Sequence, residues 1–332
     1  MSIFPASYSL LSQKALLLHI TDHYDIGKVT GFQYFLKGMN DTYIVTTAIE
    51  KYIFRVYRAD RRSQAEIEFE LDLLECLASA DIRVSTPIKR KDDSFLNTFE
   101  VSEGTKYGVL FNFAEGVEKP IHRIEDSYSF GKEVARLHNA ADHFTSEHER
   151  GILDLEHLIE KPLQTLQAYM QHRPEDYSAL YHLAMKLKDI VETQLDQGLD
   201  WGICHGDLHG NTNVAFAEDG TMTHYDFDLC GYGWRAYDIA EFRLAREIHS
   251  GHDQEEVEQL WQSFLNGYKE IRSISDNDIR MVPVFVVIRQ LWLFSLCFQE
   301  SELIGIADFD DGFIDSKMEY FKRAGDALIP SM

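Results

Sequence analysis

At 332 residues the chain is longer than one hydrophobic core usually organises, so two packed lobes are expected. Hydrophobic residues make up 45% and charged residues 26%, with no repeat or low-complexity tract, which excludes a disordered or fibrous chain. A formal charge of −23 opposes nucleic acid and anionic membranes, both of which need phosphate neutralised by Lys and Arg, so neither partner is expected.

The N-terminal MSIFPASY lacks the basic and apolar regions of a secretory signal. Cys76, Cys204, Cys230 and Cys297 are widely spaced without a CxxC pair, as expected of reduced thiols in a cytoplasmic protein. Apolar residues at helical spacing predict a helix over 11–22, and aromatic and β-branched residues predict a strand over 29–36. Lys37-Gly38-Met39-Asn40-Asp41 supplies turn chemistry before strands over 42–48 and 52–57, the start of an antiparallel meander. A helix over 62–79 follows, with Ile67, Leu71, Leu74 and Leu77 on one face and Glu66 and Glu70 one turn apart. Strands over 95–101 and 107–113 come next, and Ala114-Glu115-Gly116 ends the pattern.

From Ser127 the chain reads as helices over 128–139, 163–170, 177–195 and 255–271, then an apolar run over 281–298. That run is interrupted by Arg289 and Gln290, which suits a buried helix better than lipid. The exception is a β insert over 213–216 and 222–227, joined through Asp219-Gly220, a hairpin signal.

Around the insert stand ICHGDLHGNTNVAF and MTHYDFDLCGYGWRAYDIAEF. Asp207 precedes one strand and Asp226 ends the next, and a hairpin brings such strand ends together. Phosphoryl transfer needs a carboxylate to take the attacking hydroxyl's proton and oxygens to hold Mg2+, roles that suit Asp207 and Asp226 with a nearby Asn. The other reading takes His205, Asp207, His209 and Asp226 as zinc ligands, although short H-x-D-x-H sites occur in hydrolases built on parallel sheets.

These residues resemble the aminoglycoside phosphotransferase and choline kinase family, small-molecule relatives of the protein kinases. HGDLHGNTN at 205–213 is similar to the family's H-G-D-x-H-x-x-N loop, Asp226-Phe227-Asp228 to its metal motif, and CGYGWRAYDIAEF to its aromatic-rich turn into a helix. The resemblance implies an α+β, bilobal protein-kinase-like fold: a nucleotide-binding lobe over 1–110, a hinge over 111–116, and a catalytic and substrate-binding lobe over 117–332. It implies ATP and Mg2+ as cofactors.

On this reading Asp207 orients the acceptor hydroxyl and takes its proton, while His205 braces the loop. Arg55, on KYIFRVYR, holds nucleotide phosphates and pairs with Glu70, with Glu66 the other candidate. Gly38 and Asn40 lie in the phosphate-covering turn, and Phe111 and Phe113 fall in the stretch, 110–114, that meets adenine. Mg2+ falls to Asp226, Asn213 and Asp228. The family's metal Asn aligns with Thr212, so Asn213, which leads into the strand, is preferred to Asn211. Asp238 resembles a carboxylate that supports the loop, and His138 reads as a packed structural residue.

The implied acceptor is a hydroxyl-bearing small molecule: an amino alcohol, amino acid or aminoglycoside, with cationic compounds included. Glu300, Glu302, Asp308, Asp310 and Asp311 are candidates to receive a cation. Two other activities remain open: a Ser/Thr protein kinase of the bacterial stress-response type, suggested by Arg55 and RQLWLFSL, and a nucleotide-binding pseudokinase, suggested by Thr212.

Overall fold

The computed structural model describes residues 6–248 and 251–328. It falls into two compact units: one takes the chain up to Glu118 with 144–150 and 214–228, and the other takes 119–143, 151–213 and everything from 229 on. The sequence reading placed the change-over at 111–116 and kept the β insert with the helices; here the first stretch runs to Glu118 and the insert groups with the sheet.

The first unit opens with α1 (Gln13–His23), followed by β1 (Val29–Lys37), β2 (Asp41–Thr47) and β3 (Lys51–Val56). After α2 (Gln64–Ser79) come β4 (Asn97–Val101) and β5 (Gly104–Asn112), giving an antiparallel sheet in the order β1-β2-β3-β5-β4. Alternation along β2 turns Tyr43 and Val45 inward, where they meet Leu16 and Ile20 of α1 and Phe54 of β3. Ser63 and Glu66 form a capping box at the start of α2, and that start sets which face of the helix carries Glu70.

The helical unit begins with α3 (Ile124–Ala141), α4 (Lys161–Tyr169), α5 (Pro174–Leu195) and β6 (Trp201–Cys204). The chain then returns to the first unit as the hairpin β7 (Val214–Phe216) and β8 (Met222–His224), bridged there by Val84–His224 and Val117–Phe216. The second hairpin strand stops at His224 and not at 227, because Asp226 takes a left-handed φ of 64°. Beyond it come β9 (Gly231–Trp234), paired antiparallel with β6, then α6 (Arg235–Ile248), α7 (Gln254–Ile271), α8 (Asp276–Ile304) and α9 (Asp311–Leu328).

Helices α3 and α7 cross closely because each presents glycine at the contact: a Cβ on Gly131 would strike the Phe264 carbonyl, and one on Gly267 the Tyr128 carbonyl. By length and composition α8 is apolar enough to cross a bilayer, yet 78% of its most apolar window is buried inside the protein. None of the four cysteines is joined in a disulfide. The sequence reading assigned no element over 201–204, 231–234 or 311–328: the two strands are only four residues each, and α9 follows a stretch whose Gly and Asp content masks helical periodicity, whereas α6 starts at Arg235, where the aromatic-rich turn was expected to lead into a helix.

Candidate active site

The chain leaves β6 at Cys204 and runs through 205–213 as a loop tied down from α6 and α8. Asp238, buried in the first turn of α6, accepts from the backbone N–H of His205 at 2.8 Å and of Gly206 at 2.9 Å. Its Oδ2 also meets Nε2 of buried His138 at 3.0 Å, which gives His138 its structural place. Burial works against the Asp238 charge, but these partners hold its carboxyl below the ordinary range. Gly206 has φ +82°, and a Cβ there would collide with the Leu229 carbonyl, so this close turn requires glycine. His205 accepts the Asp207 N–H on Nδ1 at 3.3 Å. At the far end Arg246 of α6 donates to the His209 carbonyl at 3.1 Å and to Oδ1 of Asn211.

Both oxygens of Asp207 are fixed. Oδ1 accepts from Nη2 of Arg289 at 2.6 Å, and Oδ2 accepts from Nδ2 of Asn213 at 2.8 Å. Asn213, at φ +63°, thus turns its amide nitrogen to Asp207, leaving its carbonyl oxygen as the free donor, whereas Asn211 is committed to Arg246. Arg289 also donates to the Tyr237 hydroxyl at 2.8 Å, lies 3.4 Å from Oε1 of Glu241, and stacks 4.5 Å over Trp292. Burial opposes its charge, but Glu241, Tyr237 and Asp207 more than offset that and raise its pKa.

Sequence reasoning noticed Arg289 only as an interruption. The signal available was a lone cation in the middle of a helix apolar enough to be buried, which must have a partner inside. Asp207, His209, Asn211, Glu241 and Arg289 form the polar lining of a cavity of about 300 Å³, completed by Leu244, Ala245 and Leu293. Burial pushes His209 down to about 4, so it is neutral, and its Nδ1 accepts from the Asn211 N–H at 3.2 Å.

In the sheet-bearing unit, Nη1 of Arg55 donates to Oε1 of Glu70 at 2.8 Å, and Nη2 stands 2.9 Å from Oδ1 of Asp226. Glu70 accepts the Tyr57 hydroxyl on its other oxygen at 3.0 Å, so both oxygens are satisfied although burial raises its pKa. Glu66, the other candidate, is spent on the α2 cap. Burial opposes the charge of Arg55, but Asp226, Tyr57 and Glu70 outweigh it.

Asp226 keeps a carboxylate that is 46% exposed. Asp228, expected beside it as a metal ligand, is buried and committed elsewhere. Its oxygens meet Nε of Arg61 at 3.3 Å and Nε of Arg62 at 3.1 Å, and its carbonyl accepts from Arg62 at 2.6 Å and from Arg150. Despite burial, these guanidiniums hold its carboxyl far below the ordinary range, so Asp228 anchors the 61–62 segment instead of offering oxygens to a metal.

Gly38 and Asn40 lie in the turn between β1 and β2, where the Gly38 N–H donates to the Asn40 carbonyl at 3.1 Å and the buried Asn40 Oδ1 has no hydrogen-bond partner. Phe111 is buried on β5 with its ring 5.2 Å from the Arg55 guanidinium, and Phe113, half-buried just past β5, lies 5.5 Å from the Lys51 ammonium. Of the acidic residues near the C-terminus, Glu302, Asp308, Asp310 and Asp311 are exposed: Asp311 pairs with His172, and Asp310 accepts from the Phe313 N–H at 3.0 Å.

Among the described residues no group of three or more His, Cys, Asp or Glu is placed to hold a metal, and Nδ1 of both His205 and His209 faces backbone N–H groups, which removes the zinc reading. Magnesium carried by nucleotide phosphates needs only one or two hard protein oxygens. The exposed carboxylate of Asp226 and the free carbonyl oxygen of Asn213 are donors of that type.

A carboxylate fixed beside a small cavity, on a loop braced through its backbone, together with an Arg–Glu pair between a sheet and its helix, is the equipment of a kinase-like phosphotransferase. The chain belongs to the phosphotransferase enzyme family, whose model matches residues 35–274. It is 34% identical over 293 residues to an uncharacterized protein of Deinococcus radiodurans, covering 88% of this chain and 84% of that one. An uncharacterized protein of Synechocystis sp. is 30% identical over 324 residues, covering 97% and 88%. A homoserine kinase of Chelativorans sp. is 25% identical over 303 residues, covering 84% and 83%.

Among solved structures, an amicoumacin kinase in complex with AMP-PNP, Ca2+ and Ami superposes with a TM-score of 0.78 at 18% identity, covering 96% of this chain and 94% of that one. A microcompartment-associated aminopropanol kinase superposes at 0.73 with 22% identity, covering 94% and 95%. The fold is therefore the kinase-like α+β fold expected from the sequence.

Proposed function

We propose that this phosphotransferase moves the γ-phosphoryl group of ATP, with Mg2+, to a hydroxyl of a small molecule. The observation that carries the reading is Asp207, its carboxylate held from both sides while lining a cavity of about 300 Å³. Phosphoryl transfer asks the protein mainly for positioning and charge. Asp207 orients the acceptor hydroxyl and takes its proton, and Arg289 and Asn213 stop the carboxylate from rotating away. Arg55, steadied by Glu70, supplies a planar fork for phosphate oxygens. Mg2+ held by the exposed carboxylate of Asp226 would neutralise charge on the transferring phosphoryl group.

The cavity is at the small end of the range for ligand sites, which favours a small alcohol over a protein side chain as acceptor. The names of the homoserine kinase and the aminopropanol kinase point the same way. The grip of Asn213 on Asp207 argues against the pseudokinase reading, because the loop keeps its Asn one position later than the motif has it.

The test is ADP release from Mg-ATP against amino alcohols, amino acids, aminoglycosides and a protein substrate. Asp207→Asn is expected to lose ~10²–10⁴-fold in kcat, with Mg-ATP binding within a few-fold of wild type. Asp226→Ala is expected to weaken Mg-ATP binding itself. Wild-type-like turnover in either variant would sink the assignment, and ATP binding without acceptor-stimulated turnover would restore the pseudokinase.

A further inference from the structure

A second cavity, of about 690 Å³, opens among α6, α8 and α9, and its lining shares no residue with the cavity beside Asp207. Its volume lies within the range of small-molecule sites. Pro283, Val286 and Val287 of α8 and Ala324 of α9 give it an apolar wall.

The charges at its rim are unevenly matched. Arg243 of α6 is already paired, with Glu247 at 2.8 Å and with Glu258 at 3.2 Å. Lys317 and Arg323 of α9 have no carboxylate partner among the described residues. The Lys317 ammonium meets only a neutral acceptor, Oε1 of Gln290 at 3.5 Å, and burial lowers its pKa, as expected of a cation short of counter-charge. With 55 Asp and Glu against 32 Lys and Arg the chain has carboxylates to spare, yet none reaches these two side chains within the described residues. Neutral polar groups around the same cavity are also unfilled. Gln290 is only 2% exposed and its Nε2 has no hydrogen-bond partner among the described residues, nor has the Tyr320 hydroxyl.

Two unmatched cations, an amide and a hydroxyl beside an apolar wall are the make-up of a site for an organic anion, with charge-assisted hydrogen bonds at one end and carbon contact at the other. We propose that the cavity among α6, α8 and α9 is a second ligand site, for a small organic dianion: a phosphate monoester or a dicarboxylate. Its charged head lies on Lys317 and Arg323, with Tyr320 and Gln290 completing the hydrogen bonds, and its carbon body lies on Pro283, Val286 and Val287. Two cations without partners set the charge of the ligand at two. The site stands apart from the phosphotransfer reading, since none of its residues has a part in that chemistry.

The experiment is calorimetry on the full chain, with Mg2+ and a non-hydrolysable ATP analogue present in excess so that the nucleotide site does not compete for the probes. The probes are phenyl phosphate and phthalate. Inorganic phosphate, which lacks the carbon body, and benzyl alcohol, which lacks the charge, are the controls. At least one dianion is expected to bind ~10-fold or more tightly than either control, and Lys317→Gln and Arg323→Gln are each expected to weaken it by ~10-fold or more. Ala324→Trp keeps both charges but fills the cavity, and is expected to abolish binding. Melting curves of the three variants show which are folded, and three separate positions keep the test decisive if one is not.

Whichever dianion binds more tightly supports the site and identifies its head group. Absence of binding by both up to about 10 mM overturns the proposal. So does inorganic phosphate binding as tightly as the dianions, which would leave the apolar wall idle, or an affinity unchanged in the folded variants, which would put the probe elsewhere.

Discussion

Arg289 shows how much one side chain can decide. It is a cation in the centre of α8, a helix of Val, Ile, Leu and Phe, and it reaches the one carboxylate the chemistry needs. Removing it leaves half-buried Asp207 and buried Glu241 without their shared cation. Arg289→Met is therefore expected to cost about 3–5 kcal/mol of stability by thermal or denaturant unfolding. It should also cost on the order of 100-fold in kcat, because a misplaced Asp207 no longer aligns the hydroxyl. Arg289→Lys, which restores charge but not the two-armed fork, should recover most of the stability and little of kcat. A variant in which stability falls but kcat per folded molecule does not would reduce Arg289 to a core residue.

The neighbouring residues divide by how they could be read. Asp207, Asp226 and Asp238 were legible because they sit at short, fixed spacings in one stretch of chain. Glu241 and Arg289 were not, because nothing local says that a Glu nearly two turns into α6 and an Arg on α8 face the same cavity.

At the scale of elements, local signals worked where the chain's own chemistry sets a boundary. Asp219-Gly220 marked the β7–β8 hairpin, with Gly220 at φ +84°. Ser63 and Glu66 cap α2 and so separate Glu66, used at the helix start, from Glu70, delivered to Arg55 one turn on. The β6–β9 pair escaped notice because four-residue strands carry no usable period, yet it holds the loop at its root.

The α3–α7 crossing depends on two glycines that sequence gives no reason to single out. Gly267→Ala puts a methyl group into the Tyr128 carbonyl, so a loss of about 1–3 kcal/mol is expected in unfolding experiments. The same change at Gly198, where a Cβ meets nothing within 4 Å, provides the control for backbone effects, although its own φ of +76° adds some strain. Equal losses at both positions would show that close packing is not the cause.

For the whole molecule the governing quantity is charge. With 55 Asp and Glu against 32 Lys and Arg, the excess carboxylates outnumber any pairing the surface can offer, and they repel one another in the compact state. Raising NaCl from ~10 mM to ~1 M shortens the screening length from about 30 Å to about 3 Å, so the melting temperature should rise with salt. A steady fall, measured by calorimetry, would mean that paired charges outweigh the excess.

The sequence by itself determined the elements whose signals are local: the meander, the hairpin, the capped helix with Glu70, the H-G-D loop and the acidic balance. It also determined the family, because those motifs occur in order along most of the chain. Tertiary structure alone decided which carboxylate is satisfied and which is not. Asp228 looks like a metal ligand in sequence and is claimed by Arg61 and Arg62, while Glu241 looks like an ordinary helix residue and is buried 3.4 Å from the guanidinium of Arg289 that also holds Asp207. Whether a buried charge has a partner depends on residues far away along the chain, and only packing brings them within the few ångströms over which a hydrogen bond acts.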